Sequence, residues 1–317
     1  MTNDSSNKAW ENFLFISSAE TSQSFLLNKY NRLGTADAWK KSYENSYAFI
    51  YHIEQGKSFF QQAKQSPLNI QPILLFYGLV FLIKACILTT DPNYPESTAV
   101  LAHGVTTRKR KKQNYHYLED EVKIQKNGLF PHFSGKMFHM KHLEGEKVNI
   151  KSLVNEVPEL IPFLNKLDNK SRAVEIQHNN GVFTFPEDIL DNYKMTKERF
   201  KEYIQTKANG SLLATADHTS ISFTSSVPAI EILPFRFSIT DNKYYFSKEW
   251  TSLSMFYELM IHYLLLYHLS MIARYEIEWW SELIYQKPNV EYPLIVQYLN
   301  VSQQKCLYLI DQYLFST

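Results

Sequence analysis

The sequence predicts an α+β fold that is mainly α: a helical bundle around two buried helices, about 69–90 and 253–284, with a small mixed α/β insertion. Three observations predict it. LSMFYELMIHYLLLYHLSMIARYEIEWWSELI, from Leu253 to Ile284, holds no Gly or Pro and is apolar on nearly every face at the helical period. NIQPILLFYGLVFLIKACILTT, from Asn69 to Thr90, is a second such run. Period-two alternation, the mark of strands, is confined to the stretch between Val122 and Phe246. The expected division is therefore residues 1–118 plus 248–317 as the helical bundle domain and 119–247 as the insertion.

The central run predicts a buried helix and not a membrane span. His262, His268 and Arg274 interrupt it, whereas a span needs about 20 mostly apolar residues. At 100° per residue, Ser254, Glu258 and His262 share one narrow face and Arg274 lies roughly opposite. Arg274 and Glu278 are four apart, so an intrahelical pair is available. A structural arginine held by Glu278 or a carbonyl is one reading; a ligand-facing arginine is the other, and its partner must then be anionic or rich in acceptors. His262 and His268 read as satisfied core histidines, because a spacing of six matches no helical metal pair.

Residues 8–66 read as helical. KAWENFLFISSAETSQSFLLNKY carries apolar positions at helical spacing and ends near Asn31 and Gly34. The next helix starts with a Thr35 or Asp37 cap and runs to Ser66-Pro67. Its Tyr43, Tyr47, Ile50 and Tyr51 fall on one stripe, read as core packing. In the 69–90 helix, Pro72 suits the first turn and Asp91-Pro92 is the stop. Lys84, the one charge between Pro72 and Asp91, shares a face with Tyr77, Phe81 and Leu88. Its stem either snorkels to the surface or delivers an ammonium into an interior pocket.

Residues 91–135 are rich in loop signals. His103-Gly104 precedes a dense basic run from Arg108 to Lys112, followed by Glu119, Asp120 and Glu121. Such a run is either a solvated loop neutralised by that acidic patch or a phosphate-binding arm, with Tyr115 and Tyr117 available for stacking. Beyond it VKIQ, RAVEIQ, GVFTF, SISFTSS and ILPFRFSITDNKYYF alternate as strands, with VNIKSLVNEVPELIPFLNKL and PEDILDNYKMTKERFKEYIQTKA as helical pieces. YPLIVQYLNV and SQQKCLYLIDQYLF are expected to close the chain as two short amphipathic helices.

Composition narrows the chemistry. The 317 residues are 44% apolar with 21 Tyr and 21 Phe, enough for a sizeable aromatic core. Nine glycines, no G-x-G-x-x-G and no P-loop weigh against nucleotide folds built on glycine loops. A net charge of +1 points globally to neither nucleic acid nor membrane. Cys86 and Cys306 read as two buried thiols in a reducing compartment. The polar start MTNDSSNKAWENF lacks the layout of a signal peptide, so a cytoplasmic setting is expected. H-E-x-x-H, C-x-x-C, G-x-S-x-G and EF-hand patterns are absent. His132, His139 and His142 lack a completing ligand and read as surface histidines; no metal and no cofactor are expected.

The strings LLFYGLVFLIKACILTTDPNYP, LAHGVTTRKRKK, KNGLF and LLLYHLSMIARYEIEWWSELI together resemble the YaaC-like family over essentially the whole chain. The resemblance implies the order of these motifs and little biochemistry. More loosely, the helical part is similar to HEPN-type bundles, many of which are ribonucleases with an Arg-x4–6-His motif. Arg110 to His116 meets that spacing, which would make Arg110 the phosphate-positioning group and His116 the acid or base, without a metal.

Three functions follow as expectations. The first is a non-catalytic binding or regulatory protein that recognises a nucleotide or RNA phosphate through Lys84, His103, Arg108, Arg110, Lys111, Lys112 and Arg274. The second is a protein-partner module that regulates a cytoplasmic enzyme through its aromatic surface, with no chemistry of its own; a homodimer is a further expectation. The third is the metal-independent HEPN-type ribonuclease. The lack of a complete catalytic set favours the first two.

Overall fold

The computed structural model describes residues 2–107, 115–142, 144–208, 210–217, 219–225 and 232–315. Twelve α-helices and nine strands are formed among them. Two compact units result: Met1–Lys151 with His262–Ser316, and Ser152–Ile261. The boundaries thus fall at 151/152 and 261/262, against 118/119 and 247/248 in the sequence reading.

The larger unit is mainly helical. It holds α1 (Thr2–Phe15), α2 (Ala19–Arg32), α3 (Ala38–Gln65), α4 (Gln71–Thr90), α5 (Leu129–Phe138), most of α10 (Glu258–Tyr275), α11 (Ile277–Gln286) and α12 (Glu291–Phe315). It also holds an antiparallel sheet β1-β2-β3 of Val105–Thr106, Glu121–Ile124 and Lys147–Asn149. Helix α4 is the inner helix: α2, α3, α5 and α12 pack on it, and Phe76 meets Tyr263 and Tyr267 of α10 at ring distances of 5.3 and 5.5 Å. By length and composition alone α4 could cross a membrane, but two thirds of its most apolar window is buried inside the protein.

Four sequence expectations for the helices are corrected. Residues 8–31 are two helices, because Ser18 caps a new one: its hydroxyl accepts from Thr21 N while Thr21 Oγ1 takes the Ser18 N–H, a reciprocal capping box. The 253–284 run is not one wholly buried helix. Residues Ser252–Met255 form a 3-10 turn capped by Thr251, α10 is continuously buried only from Leu259 to Ser270, and the chain breaks at Glu276 (φ −118°, ψ 50°) before the half-exposed α11. The C-terminal pair is a single 25-residue helix, with Pro293 tolerated in its first turn and the Ser302 hydroxyl bonded back to Leu299 O without a break.

The fourth correction concerns α3. Tyr43, Tyr47 and Tyr51, read as core, lie outside with Trp39 at 53–65% exposure, Ile50 being half-buried, while Ser42, Ser46, Phe49, Ile53, Gly56, Phe60 and Ala63 face inward. The cause is close approach. A Cβ on Gly56 would lie 2.7 Å from Leu82 Cγ, and one on Gly78 2.8 Å from Phe60 Cδ2. Small side chains let α3 and α4 close, so the bulky ones are left outside.

The smaller unit places β6 (Leu212–Ala214), β7 (Ile221–Ser225), β5 (Val182–Phe185), β4 (Ala173–Asn179), β9 (Lys243–Ser247) and β8 (Arg236–Ser238) side by side in that order, all pairings antiparallel. Helices α6 (Ile150–Asn155), α7 (Ile161–Asp168), α8 (Ile189–Tyr193) and α9 (Lys197–Lys207) accompany it, α6 starting at the boundary. Its core is aromatic, with Phe183, Phe185, Phe200, Phe223, Phe235 and Phe246 in mutual contact. The buried Arg236 gives Nε and Nη2 to Glu156 Oε2 at 3.0 and 2.8 Å and its other donors to the carbonyls of Leu253, Ser254 and Phe256.

Candidate functional site

The site grows from one face of α4. Tyr77, Phe81 and Lys84 recur at four and three residues, so they line one stripe of the helix, and all three are only half-buried. Because Gly56 and Gly78 bring α3 against α4, residues one turn either side of Gly56 reach this stripe. Phe59 stacks on Phe81 (5.6 Å) and lies 6.2 Å from Tyr77, and the His52 ring is 6.0 Å from Phe81. Lys84 Nζ stands 5.5 Å from the Phe81 centroid, in cation–π range.

His103 is delivered by a backbone clasp. The Ala102-His103-Gly104 turn lies against Gly128-Leu129-Phe130: Leu129 N donates to Ala102 O (2.7 Å), Phe130 N to His103 O (3.1 Å) and Gln125 N to Gly104 O (2.9 Å). Gly104 and Gly128 have φ of +77° and +129°, and a Cβ on Gly128 would be 2.2 Å from Gly104 Cα. No residue with a side chain fits there. The Tyr263 hydroxyl also donates to His103 O at 2.8 Å. The carbonyl is thus fixed from two sides and the ring is directed among Phe76 (5.0 Å), Tyr267 (5.7 Å) and Tyr77 (6.0 Å).

Arg274, near the end of α10, completes the group. Its Nη1 donates to Tyr77 Oη at 3.2 Å and its Nε to Ser270 O at 3.1 Å; Nη2 approaches Met271 Sδ, and the guanidinium lies over the rings of Tyr77 and Tyr275. Glu278 is exposed on α11 beyond the break, and no ion pair joins it to Arg274. The available intrahelical pair is therefore not made. Among the described residues neither Arg274 nor Lys84 contacts a carboxylate.

The electrostatics follow. His103 is pushed down to about 4 by burial, then by Arg274 and Lys84. Burial and Lys84 push His52 down to about 4. Burial lowers Lys84 itself. Both imidazoles are consequently neutral at pH 7, each with one N–H and one lone pair to offer. The patch holds two cations, two neutral histidines and a floor of rings.

Of the residues singled out in the sequence, Lys84, His103 and Arg274 are brought together. Arg108, Arg110, Lys111 and Lys112 lie outside the described residues. His116 is exposed on extended backbone ahead of the 117–119 turn. His52, Phe59, Tyr77 and Phe81 were missed as site residues. The paired mid-helix glycines were the available signal, since Gly inside a helix marks a close approach.

Other titratable clusters are internal bracing. His268 Nε2 lies 2.8 Å from Asp120 Oδ2, which also accepts from the Tyr115 hydroxyl. His262 Nδ1 is 3.3 Å from Tyr298 Oη, inside the core. His132 Nε2 and Lys136 Nζ each lie 3.1 Å from the buried Asp91 Oδ2, tying α5 to the end of α4. The expectation of three surface histidines is corrected here: His139 is exposed, but the side chains of His132 and His142 are 10% and 2% exposed, His132 on α5 itself and His142 beyond its end with its ring 5.1 Å from Phe130. Among the described residues no His, Cys, Asp and Glu group has the makings of a metal site. Cys86 and Cys306 are both buried.

No curated protein matches this chain, and no solved structure does. The motifs that carried the YaaC-like resemblance are the ones that build the patch: FYG and LIK supply Tyr77 and Lys84, AHG and NGLF form the clasp, and ARY carries Arg274. The model of the YaaC-like protein family matches residues 14–314, and the chain belongs to that family.

Proposed function

We propose that this protein is a non-catalytic binding or regulatory module that recognises an anionic ligand, a nucleotide or an RNA phosphate. The observation that carries the reading is the Lys84–Arg274 pair: two partly desolvated cations that touch hydroxyls, carbonyls and rings but no carboxylate among the described residues. Desolvated charge is costly unless compensated. The same chain supplies the buried Arg236 with Glu156. Among the described residues Arg274 has only neutral partners, Tyr77, Ser270 and Met271, and an anionic ligand would compensate its charge. The run Arg108, Arg110, Lys111 and Lys112 begins four residues after the clasp and serves in this reading as an outer arm. The aromatic floor suits a base or another flat ring.

The test is to isolate the native protein from lysate and identify bound nucleotides and proteins by mass spectrometry, beside Lys84→Met and Arg274→Met. Anionic ligands recovered with the wild type and lost with both variants support the reading. An identical ligand set from all three removes it.

One observation favours a second reading, a module that regulates a protein partner. Trp39, Tyr43, Tyr47 and Tyr51 form an exposed ladder on α3, roughly 18 Å long at 1.5 Å per residue. Aromatic residues are enriched where proteins bind one another. A partner recovered by the wild type and lost when all four are changed to Ser, with ligand binding intact, would make this the better account.

A further inference from the structure

We propose that the Lys84–Arg274 patch selects a phosphate monoester in its dianionic form over an internal phosphodiester, with His103 as the neutral donor that helps read the third terminal oxygen. This rests on the anion-binding reading above and narrows it to a ligand class.

Charge is the first argument. Two cations without a carboxylate leave a local charge of +2, which a phosphate monoester at −2 compensates and a diester at −1 does so only by half. Like a buried ion pair with one partner removed, an uncompensated cation in a ring-lined site is the expensive case. The second argument is donor supply. Lys84 has three N–H groups and no hydrogen-bond partner among the described residues; the His103 ring has none either. Arg274 has five, and Tyr77, Ser270 and Met271 do not use them all. These spare donors come from three separate elements, α4, the clasp and α10. A monoester presents three terminal oxygens to such a set and has one ester link to lead out. A diester presents two oxygens and must route chain out on both sides, past Phe59, Tyr77, Phe81 and Tyr267.

Third, the two patch histidines keep their charge over the pH range that separates the two ligands. His103 is faced from α4 by Phe76, Tyr77 and Lys84, and from α10 by Tyr267 and Arg274; His52 is faced by Phe81 and Lys84. No carboxylate acts on either ring, and both stay neutral down to about 4. A phosphate monoester loses its second charge near pH 6. Between pH 7.5 and 5.0 the ligand changes charge and these histidines do not.

Isothermal titration of the full chain with adenosine 5′-monophosphate and its methyl phosphodiester is the experiment. The monoester is expected to bind at least tenfold more tightly at pH 7.5 and to weaken about tenfold by pH 5.0, where only roughly a tenth of it is dianionic. The methyl ester is expected to be flat across that range. Lys84→Met and Arg274→Met should each narrow the gap between the two probes. His103→Phe keeps the ring contacts and the clasp, and should cost the monoester more than the diester; thermal melts check that each variant is folded. Equal affinity for the two probes overturns the selectivity and leaves anion binding in place; a gap unchanged in His103→Phe overturns the part given to His103. If neither probe nor inorganic phosphate binds, the anion-binding reading itself falls.

Discussion

Arg274 and Arg236 are opposite solutions to the problem of a partly or wholly desolvated guanidinium. Arg236 is 4% exposed and satisfied by Glu156 and three carbonyls. Removing one member of such a pair strands the other, so Arg236→Met should cost roughly 3–5 kcal/mol in urea melts, and Glu156→Gln should also be harmful. Arg274 has neutral partners, and Arg274→Met strands no carboxylate. Its effect on stability should stay within about 1 kcal/mol, and a double-mutant cycle with Glu278→Gln should show coupling near zero; coupling above about 1 kcal/mol would mean the pair forms in solution. That Arg274 needed a polar partner was legible from an arginine on an apolar helix. Its partner was not: the i, i+4 rule chose Glu278, and the break at Glu276 carries that residue away. Arg236, inside an alternating strand, gave no hint of Glu156, which is 80 residues earlier.

At the level of elements, α4 was readable because its apolar run is long and uninterrupted, and β4, β5, β7, β8 and β9 because they lie in alternating runs; β6, three residues long, is too short to show a period. The inward face of α3 was not. Hydrophobic size points to Tyr43, Tyr47 and Tyr51, whereas the packed seam is Ser42, Ser46 and Gly56. A periodicity argument cannot tell a bulky inner face from a small one that admits a neighbouring helix. The seam makes a sharp prediction. Alanine is the better helix former by about 1 kcal/mol, so an exposed Gly→Ala change stabilises. At Gly78 the added methyl would lie 2.8 and 3.0 Å from Phe60 and 3.1 Å from Phe59 Cβ. Overpacking should outweigh propensity, giving a net loss of roughly 1–3 kcal/mol in chemical melts. Because Phe59 moves with it, Gly78→Ala should also weaken ligand binding. A more stable variant would show that α3 and α4 are looser than these distances. The clasp is stricter still, since Gly128→Ala places a Cβ on Gly104 at positive φ.

Across the whole chain, the histidines set how stability responds to acid. His52 and His103 are depressed to about 4 and His262 to about 3, burial being the leading cause in each, and burial lowers His132 and His142 as well. Each titrates near 6.5 when the chain is unfolded. The unfolded state therefore binds more protons between about 6.5 and 4, and stability must fall as pH falls through that window. The contribution is fully present above 6.5 and is lost downward; below about 4, His52 and His103 have no more to lose. Glu291 runs the other way, because burial raises its carboxyl and its protonation favours the folded state. One acid against five histidines leaves the sign unchanged. The melting temperature should drop steadily from pH 7 to pH 5, before most carboxylates titrate. His52→Phe with His103→Phe removes two of the five responsible groups while keeping their ring contacts, so its melting temperature should be flatter over the same range. A variant as steep as the wild type would place the acid sensitivity in the core histidines alone and leave the patch histidines free to ionise.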